Sequence, residues 1–205
     1  MDTQNTSKNQ KQTQDTFSFK WKQKSSYESE VVRKEIRRWG LERYFDSDIG
    51  QLKKFIGDDN KKFLDAGCGS GNSTISIFGD ALKKVNYFAI DISDAIDICR
   101  EKFKEKGFKG NFTRCSINNI PSQLKDFDII FSDGVLHHTD NTEKSIFDLS
   151  RRLKKGGKFL FYVYVKKAPV REFTDDYIRD YLSNMNSQEA WDSILLLTKL
   201  GQKLG

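Results

Sequence analysis

The chain has 205 residues, 37% of them hydrophobic and 31% charged, which allows one domain with a modest core. Two prolines, 14 glycines and 16 phenylalanines exclude collagen-like, proline-rich and wholly disordered classes. The net charge is +6, but the basic residues stand in scattered pairs such as Lys53-Lys54 and Lys154-Lys155, which reads as a solvated surface and not as a nucleic-acid-binding tail.

No apolar run approaches the ~20 residues of a membrane span, and the opening MDTQNTSKNQ lacks the apolar stretch of a signal peptide. Cys68, Cys99 and Cys115 form no CxxC pair, so reduced thiols in a cytoplasmic protein are expected. The only histidines, His137 and His138, are neighbours, and no metal site is expected.

Residues 1–15 are polar apart from Met1, and a disordered tail is expected over 1–16. At Phe17-Ser18-Phe19-Lys20-Trp21 three aromatics alternate with polar residues, which predicts an extended segment with one packed face. Val31, Val32, Ile36 and Trp39 stand at helical spacing, predicting a helix over 28–40 that ends at Gly40. A second helix is predicted from Phe45 to Phe55. Residues 17–57 are read together as a lid segment over the site.

From residue 58 to 168 strands and helices alternate. Strands are predicted at 62–66, 85–90, 112–115, 127–131 and 158–165. Helices are predicted at 72–82, 93–107 and 141–154, and Lys155-Gly156-Gly157 reads as a turn. This alternation predicts an α/β fold, a doubly wound and mostly parallel sheet with helices on both faces. Residues 169–205 read as a helical extension, with helices at 171–183 and 187–200.

The most informative segment is Phe63-Leu64-Asp65-Ala66-Gly67-Cys68-Gly69-Ser70-Gly71-Asn72. A buried strand runs into three alternating glycines and then into a helix, a turn whose bare backbone can approach a ligand. The third glycine comes too early for the nicotinamide fingerprint GxGxxG, and no Gly-Lys-Ser/Thr completes a P-loop. Asp91 closes the next strand, where a carboxylate can accept from ribose hydroxyls. Asp65 beside the loop disfavours phosphate and suits a sulfonium or an ammonium.

With these residues the chain resembles class I S-adenosylmethionine-dependent methyltransferases. Asp65-Ala66-Gly67-Cys68-Gly69-Ser70-Gly71 is similar to their first motif, and Ala89-Ile90-Asp91-Ile92-Ser93 to their second. Phe127 to His138 is similar to their fourth strand with its Val-Leu-His-His end, and Leu153-Lys154-Lys155-Gly156-Gly157 to the turn before the fifth. The resemblance implies a Rossmann-like fold and S-adenosyl-L-methionine as cofactor. It implies that Gly67, Cys68, Gly69, Gly71 and Asn72 lie against the methionine moiety, which Asp65 orients. Asp91 would hold the ribose, Ile92 the adenine face, and Ser116 and Ile117 the adenine edge. Many relatives carry an acidic residue where Ser116 stands. The family sheet adds a hairpin after its fifth strand, and the present chain reads as truncated before it.

Methyl transfer needs acceptor and donor held in line and a route for a proton. Ser132, at the end of the fourth strand, is expected beside the cofactor, and Asp133, His137 and His138 beside the acceptor. Adjacent residues in extended chain point opposite ways, so one histidine at most should face the acceptor, and His138 is the first choice as base. Tyr162, Tyr164, Arg171, Asp175, Asp176 and Tyr177 are candidate pocket residues from position alone. Ser132-Asp133-Gly134-Val135 lacks the Pro-Pro-aromatic sequence of nucleobase and glutamine amino-methylating enzymes, and no Pro-Cys marks cytosine C5 chemistry. The expected activity is methyl transfer to an O or N atom of a small molecule. An RNA or protein acceptor, or a cofactor-binding fragment without turnover, are the alternatives. Nothing in the sequence sets an oligomeric state.

Overall fold

The computed structural model of the protein describes residues 7–22, 29–58, 60–165 and 168–204. Strands β1 (Lys62–Ala66), β2 (Asn86–Asp91), β3 (Asn111–Arg114), β4 (Phe127–Asp133) and β5 (Leu153–Tyr162) form one parallel sheet in the order β3-β2-β1-β4-β5. The chain moves outward from β1 through β2 to β3 and then returns to the far side of β1. That reversal opens a crevice beyond the carboxyl ends of β1 and β4.

Side-chain alternation divides the core between the two faces. Phe63, Ile129 and Phe131 meet α2 (Glu30–Phe45), α3 (Ile49–Ile56), α4 (Asn72–Phe78) and α5 (Ala95–Glu105) on one face. Leu64, Ala66 and Ile130 meet Ile117, Leu136 and Leu149 of α6 (Thr142–Ser150) on the other. Aromatic rings fill the first face: Phe63 lies 5.2 Å from Phe78 and 5.8 Å from Tyr87, centroid to centroid.

The expected strands stand within a few residues of their observed places, and three local readings change. Helix α2 runs through Gly40 to Phe45 and does not stop at the glycine. A Cβ at Gly40 would lie 2.3 Å from Ile77 Cγ1, so this glycine serves close packing of α2 on α4 and not termination. Arg37, one turn earlier, donates to the carbonyls of Ser76 and Ile77 at 2.9 Å each and satisfies the end of α4. The turn expected at Lys155-Gly157 lies inside β5, which starts at Leu153 and takes up the extra residues as a register shift against Phe127 and Ile129 of β4.

The third change is at the amino end. Residues 8–22 form one helix, α1 (Lys8–Lys22), where a polar tail over 1–16 and an extended aromatic segment are expected. Residues 1–6 lie outside the described residues. The chain divides into two units at Val163 and Tyr164, a few residues before the expected boundary at 168. The second unit holds α7 (Pro169–Ser183), with proline in its first turn, and α8 (Ser187–Leu204). No strand follows β5 among the described residues, and no described helix is long and apolar enough to cross a membrane.

Phe63 is fully buried between Phe78 and Tyr87. Phe63→Ala should therefore lower unfolding free energy by about 3–5 kcal/mol, as read from urea denaturation followed by circular dichroism.

Candidate active site

Beyond Ala66 the backbone turns sharply, and the N–H groups of Gly67 and Cys68 both donate to the Ile90 carbonyl, at 2.8 and 3.0 Å. Gly67, Gly69 and Gly71 have φ of 86°, 50° and 78°, values that residues with a side chain rarely adopt. A Cβ at Gly67 would strike Val135 at 2.3 Å, and one at Gly71 would strike Cys99 Sγ at 2.7 Å, so these two glycines are held by the domain's own packing. The middle glycine differs. A Cβ on Gly69 would meet the Trp21 indole at 3.0 Å.

Asp91, at the carboxyl end of β2, is buried and closes the loop. Its Oδ2 accepts from Gly69 N–H at 2.8 Å, and its Oδ1 accepts from the Ser93 N–H at 2.8 Å and hydroxyl at 2.6 Å. Three of the four acceptor positions of the carboxylate are used among the described residues. Engaging both hydroxyls of a ribose there would require the Ser93 hydroxyl to turn away. The Ser70 hydroxyl, inside the loop, is buried without a hydrogen-bond partner among the described residues. An orphan polar group of that kind is commonly taken up by a ligand or water. The loop therefore fits a polar ligand.

Asp65 is more deeply placed than its expected role suggests. It is 2% exposed, and its Oδ2 accepts from the Tyr87 hydroxyl at 2.6 Å and from the Thr74 hydroxyl. Burial pushes its pKa up to about 7, against the downward pull of those two hydrogen bonds. In this structure Asp65 anchors β1 to β2 and α4. Asn72 is likewise engaged, its amide oxygen accepting from Lys102 of α5 at 2.8 Å. Cys68 is buried, and desolvation raises its thiol well above the ordinary range, so it is no nucleophile. Ile92, next to Asp91, accepts from Arg114 through its carbonyl. Ile117 packs into the core, and Ser116 accepts from Asn118 N–H at 3.1 Å.

At the end of β4, Ser132 donates to the Ala66 carbonyl at 2.8 Å and ties β4 to β1. Asp133 Oδ1 accepts from Arg43 at 3.0 Å and from the Tyr44 hydroxyl at 2.7 Å. The Arg43 guanidinium lies 3.7 Å above the Tyr162 ring, so the last turn of α2 grips the ends of β4 and β5 together. Burial and then the Asp133 charge hold the Tyr44 phenol well above its ordinary pKa. Nothing in the sequence pattern marks Arg43 and Tyr44.

The histidines do not point apart. Leu136–His138 is a 3-10 turn and not extended chain, and the two rings come within 4.0 Å of each other. Burial lowers the His137 pKa, which favours neutral imidazole. His138 meets the edge of Phe17 at 5.0 Å.

Phe17 belongs to α1, and α1 touches the loop after each of the first four strands. Trp21 covers Gly69 after β1, and Lys22 pairs with Asp94 after β2 at 3.2 Å. Gln10 accepts from the Ser116 hydroxyl after β3 at 3.3 Å and donates to the His138 carbonyl after β4 at 3.1 Å. The signal in the sequence is Gln10, Phe17 and Trp21 at positions i, i+7 and i+11, one helical face that the alternating aromatics conceal.

The glycine turn, its aspartate clamp and the parallel sheet are matched by a methyltransferase-domain family model over residues 57–195. The chain belongs to this methyltransferase family. An uncharacterised Synechococcus protein is 30% identical over 123 residues, covering 56% of this chain and 28% of that protein. An Encephalitozoon cuniculi protein named as a methyltransferase is 25% identical, covering 84% of this chain and 76% of its own length. A ubiquinone/menaquinone biosynthesis C-methyltransferase of Vibrio vulnificus is 25% identical, covering 65% and 53%. Among solved structures, the YcgJ protein of Bacillus subtilis superposes with a TM-score of 0.52 at 22% identity, covering 64% of this chain and 56% of its own. The sheet is that of the Rossmann-like class I methyltransferases.

The raised Asp65 pKa carries a consequence for this methyltransferase domain. The folded state holds the Asp65 proton more tightly than the unfolded chain. The contribution of Asp65 to stability is then fully present below about pH 4 and is lost as pH rises through 7. Asp65→Asn should flatten that part of the profile, as read from urea midpoints between pH 4 and 8.

Proposed function

We propose that this methyltransferase uses S-adenosyl-L-methionine and methylates an O or N atom of a small molecule in the cytoplasm. The observation that carries the cofactor reading is the glycine loop pinned by Asp91, three of whose four acceptor positions are used among the described residues. The Asp91 carboxylate against the loop favours a cationic methionine moiety over a phosphate. Bound S-adenosylmethionine would supply a methyl group made electrophilic by its sulfonium.

The chain's own residues have separable tasks. The glycine backbone and Asp91 would hold the cofactor along the ends of β1 and β2. Trp21 and Phe17 would exclude water from above, the lid role of the amino-terminal segment. His138 would take the acceptor proton, with His137 as its neighbour. The two rings lie 4.0 Å apart, and burial favours the neutral imidazole at His137. Asp133 pairs with Arg43 and binds Tyr44, so it positions α2 at the acceptor side. Three buried thiols outside any disulfide suit a reducing compartment.

Calorimetric titration with S-adenosylmethionine and S-adenosylhomocysteine should show binding to the wild type. Asp91→Ala, checked for native circular dichroism, should weaken it tenfold or more, or about 1.4 kcal/mol. A folded wild type that binds neither compound would refute the cofactor reading. Incubation with methyl-labelled cofactor should then place label in small hydroxy or amino compounds. Label in tRNA at low salt, lost as salt rises, would replace the small-molecule reading with an RNA one.

A further inference from the structure

Gln10 is the one described residue of α1 that the protein buries, at 6% exposure, and it is polar. A glutamine amide has two acceptor positions on oxygen and two N–H donors. Only half of these are used among the described residues. Oε1 accepts from the Ser116 hydroxyl at 3.3 Å, and Nε2 donates to the His138 carbonyl at 3.1 Å. One acceptor position and one donor remain, in a buried place at the end of β3.

The resemblance to class I methyltransferases implies that the adenine edge lies at Ser116, which follows β3, the strand next outward from the β2 end that carries Asp91. The remaining acceptor and donor of Gln10 complement the amino group and neighbouring ring nitrogen of adenine, the pairing by which glutamine reads that base in nucleic acids. The two existing bonds also fix which way the amide faces. The His138 carbonyl can only accept, so Nε2 must stay turned toward it and Oε1 cannot exchange places with it.

We propose that Gln10 is the adenine-specificity residue of the cofactor site, supplied by the amino-terminal helix in place of an acidic side chain at Ser116. This rests on the S-adenosylmethionine reading. Hypoxanthine differs from adenine by a carbonyl where adenine has its amino group. That oxygen would face Oε1, acceptor against acceptor.

The test is calorimetry with S-adenosylhomocysteine and S-inosylhomocysteine on the wild type, Gln10→Leu and Gln10→Glu. The wild type should prefer the adenosyl compound by about tenfold or more. Gln10→Leu should bring the ratio of the two affinities close to one. Gln10→Glu sets an acceptor against the His138 carbonyl and against the ring nitrogen, and should lose the preference as Gln10→Leu does. A residue that merely docks α1 would weaken both compounds alike and leave the ratio unchanged, and that result in Gln10→Leu overturns the proposal. Should Gln10→Leu not fold, the shorter Gln10→Ala replaces it, with Lys11→Ala as an α1 control that should keep the wild-type ratio. A ratio that is the same in Gln10→Ala, Lys11→Ala and the wild type would overturn the proposal. A wild type that binds neither compound overturns the cofactor reading and this proposal together, whereas an unchanged ratio with intact binding overturns this proposal alone.

Discussion

A parallel sheet covered on both faces offers only its carboxyl edge to a ligand. In this protein the aromatic layer of Phe63, Phe78, Tyr87 and Phe131 closes one face and the Leu64–Ile130–Leu149 layer closes the other. Chemistry is confined to the loops that leave the strands. The reversal of direction at β1 spreads those loops apart and sets the glycine turn beside the end of β4. Gly69, Asp91, Asp133 and the two histidines all owe their places to that single topological fact.

The carboxylates along the edge divide the work by depth. Asp65, at 2% exposure, is spent on Tyr87 and Thr74 and serves the core. Asp91 stands at the boundary, bonded to the loop and to Ser93. Asp133 is outermost and is bound to a helix that arrives from elsewhere in the chain. Similar residues at the ends of neighbouring strands thus acquire different roles from desolvation and from the donors that reach them.

The central strands and the glycine turn were legible because their signals are local. Apolar runs such as Phe127–Phe131 and the spacing of Gly67, Gly69 and Gly71 need no partner to be read. The readings that changed depend on partners distant in sequence. Gly40 looks like a stop signal until Ile77 is seen against it. The two histidines look divergent until the backbone tightens into a 3-10 turn. The first sixteen residues look unstructured because their composition offers no apolar surface, and what orders α1 is a set of polar bonds to loops more than a hundred residues away. Arg43 is bound to a strand end ninety positions along the chain, and no local pattern could announce it.

The manner in which α1 is attached sets how it can move. It is fastened at its flanks by Lys22 to Asp94 and by Gln10 to Ser116 and His138, and it buries no apolar side chain completely. Opening such a segment forfeits those polar contacts and the half-buried faces of Phe17 and Trp21 but no fully buried apolar side chain, so it lies lower in the range of local unfolding energies than the core. The sheet beneath, with its fully buried aromatics, belongs at the high end. Release of helix α1 would uncover Gly69 and the crevice beside it while leaving every fully buried side chain of the sheet in place.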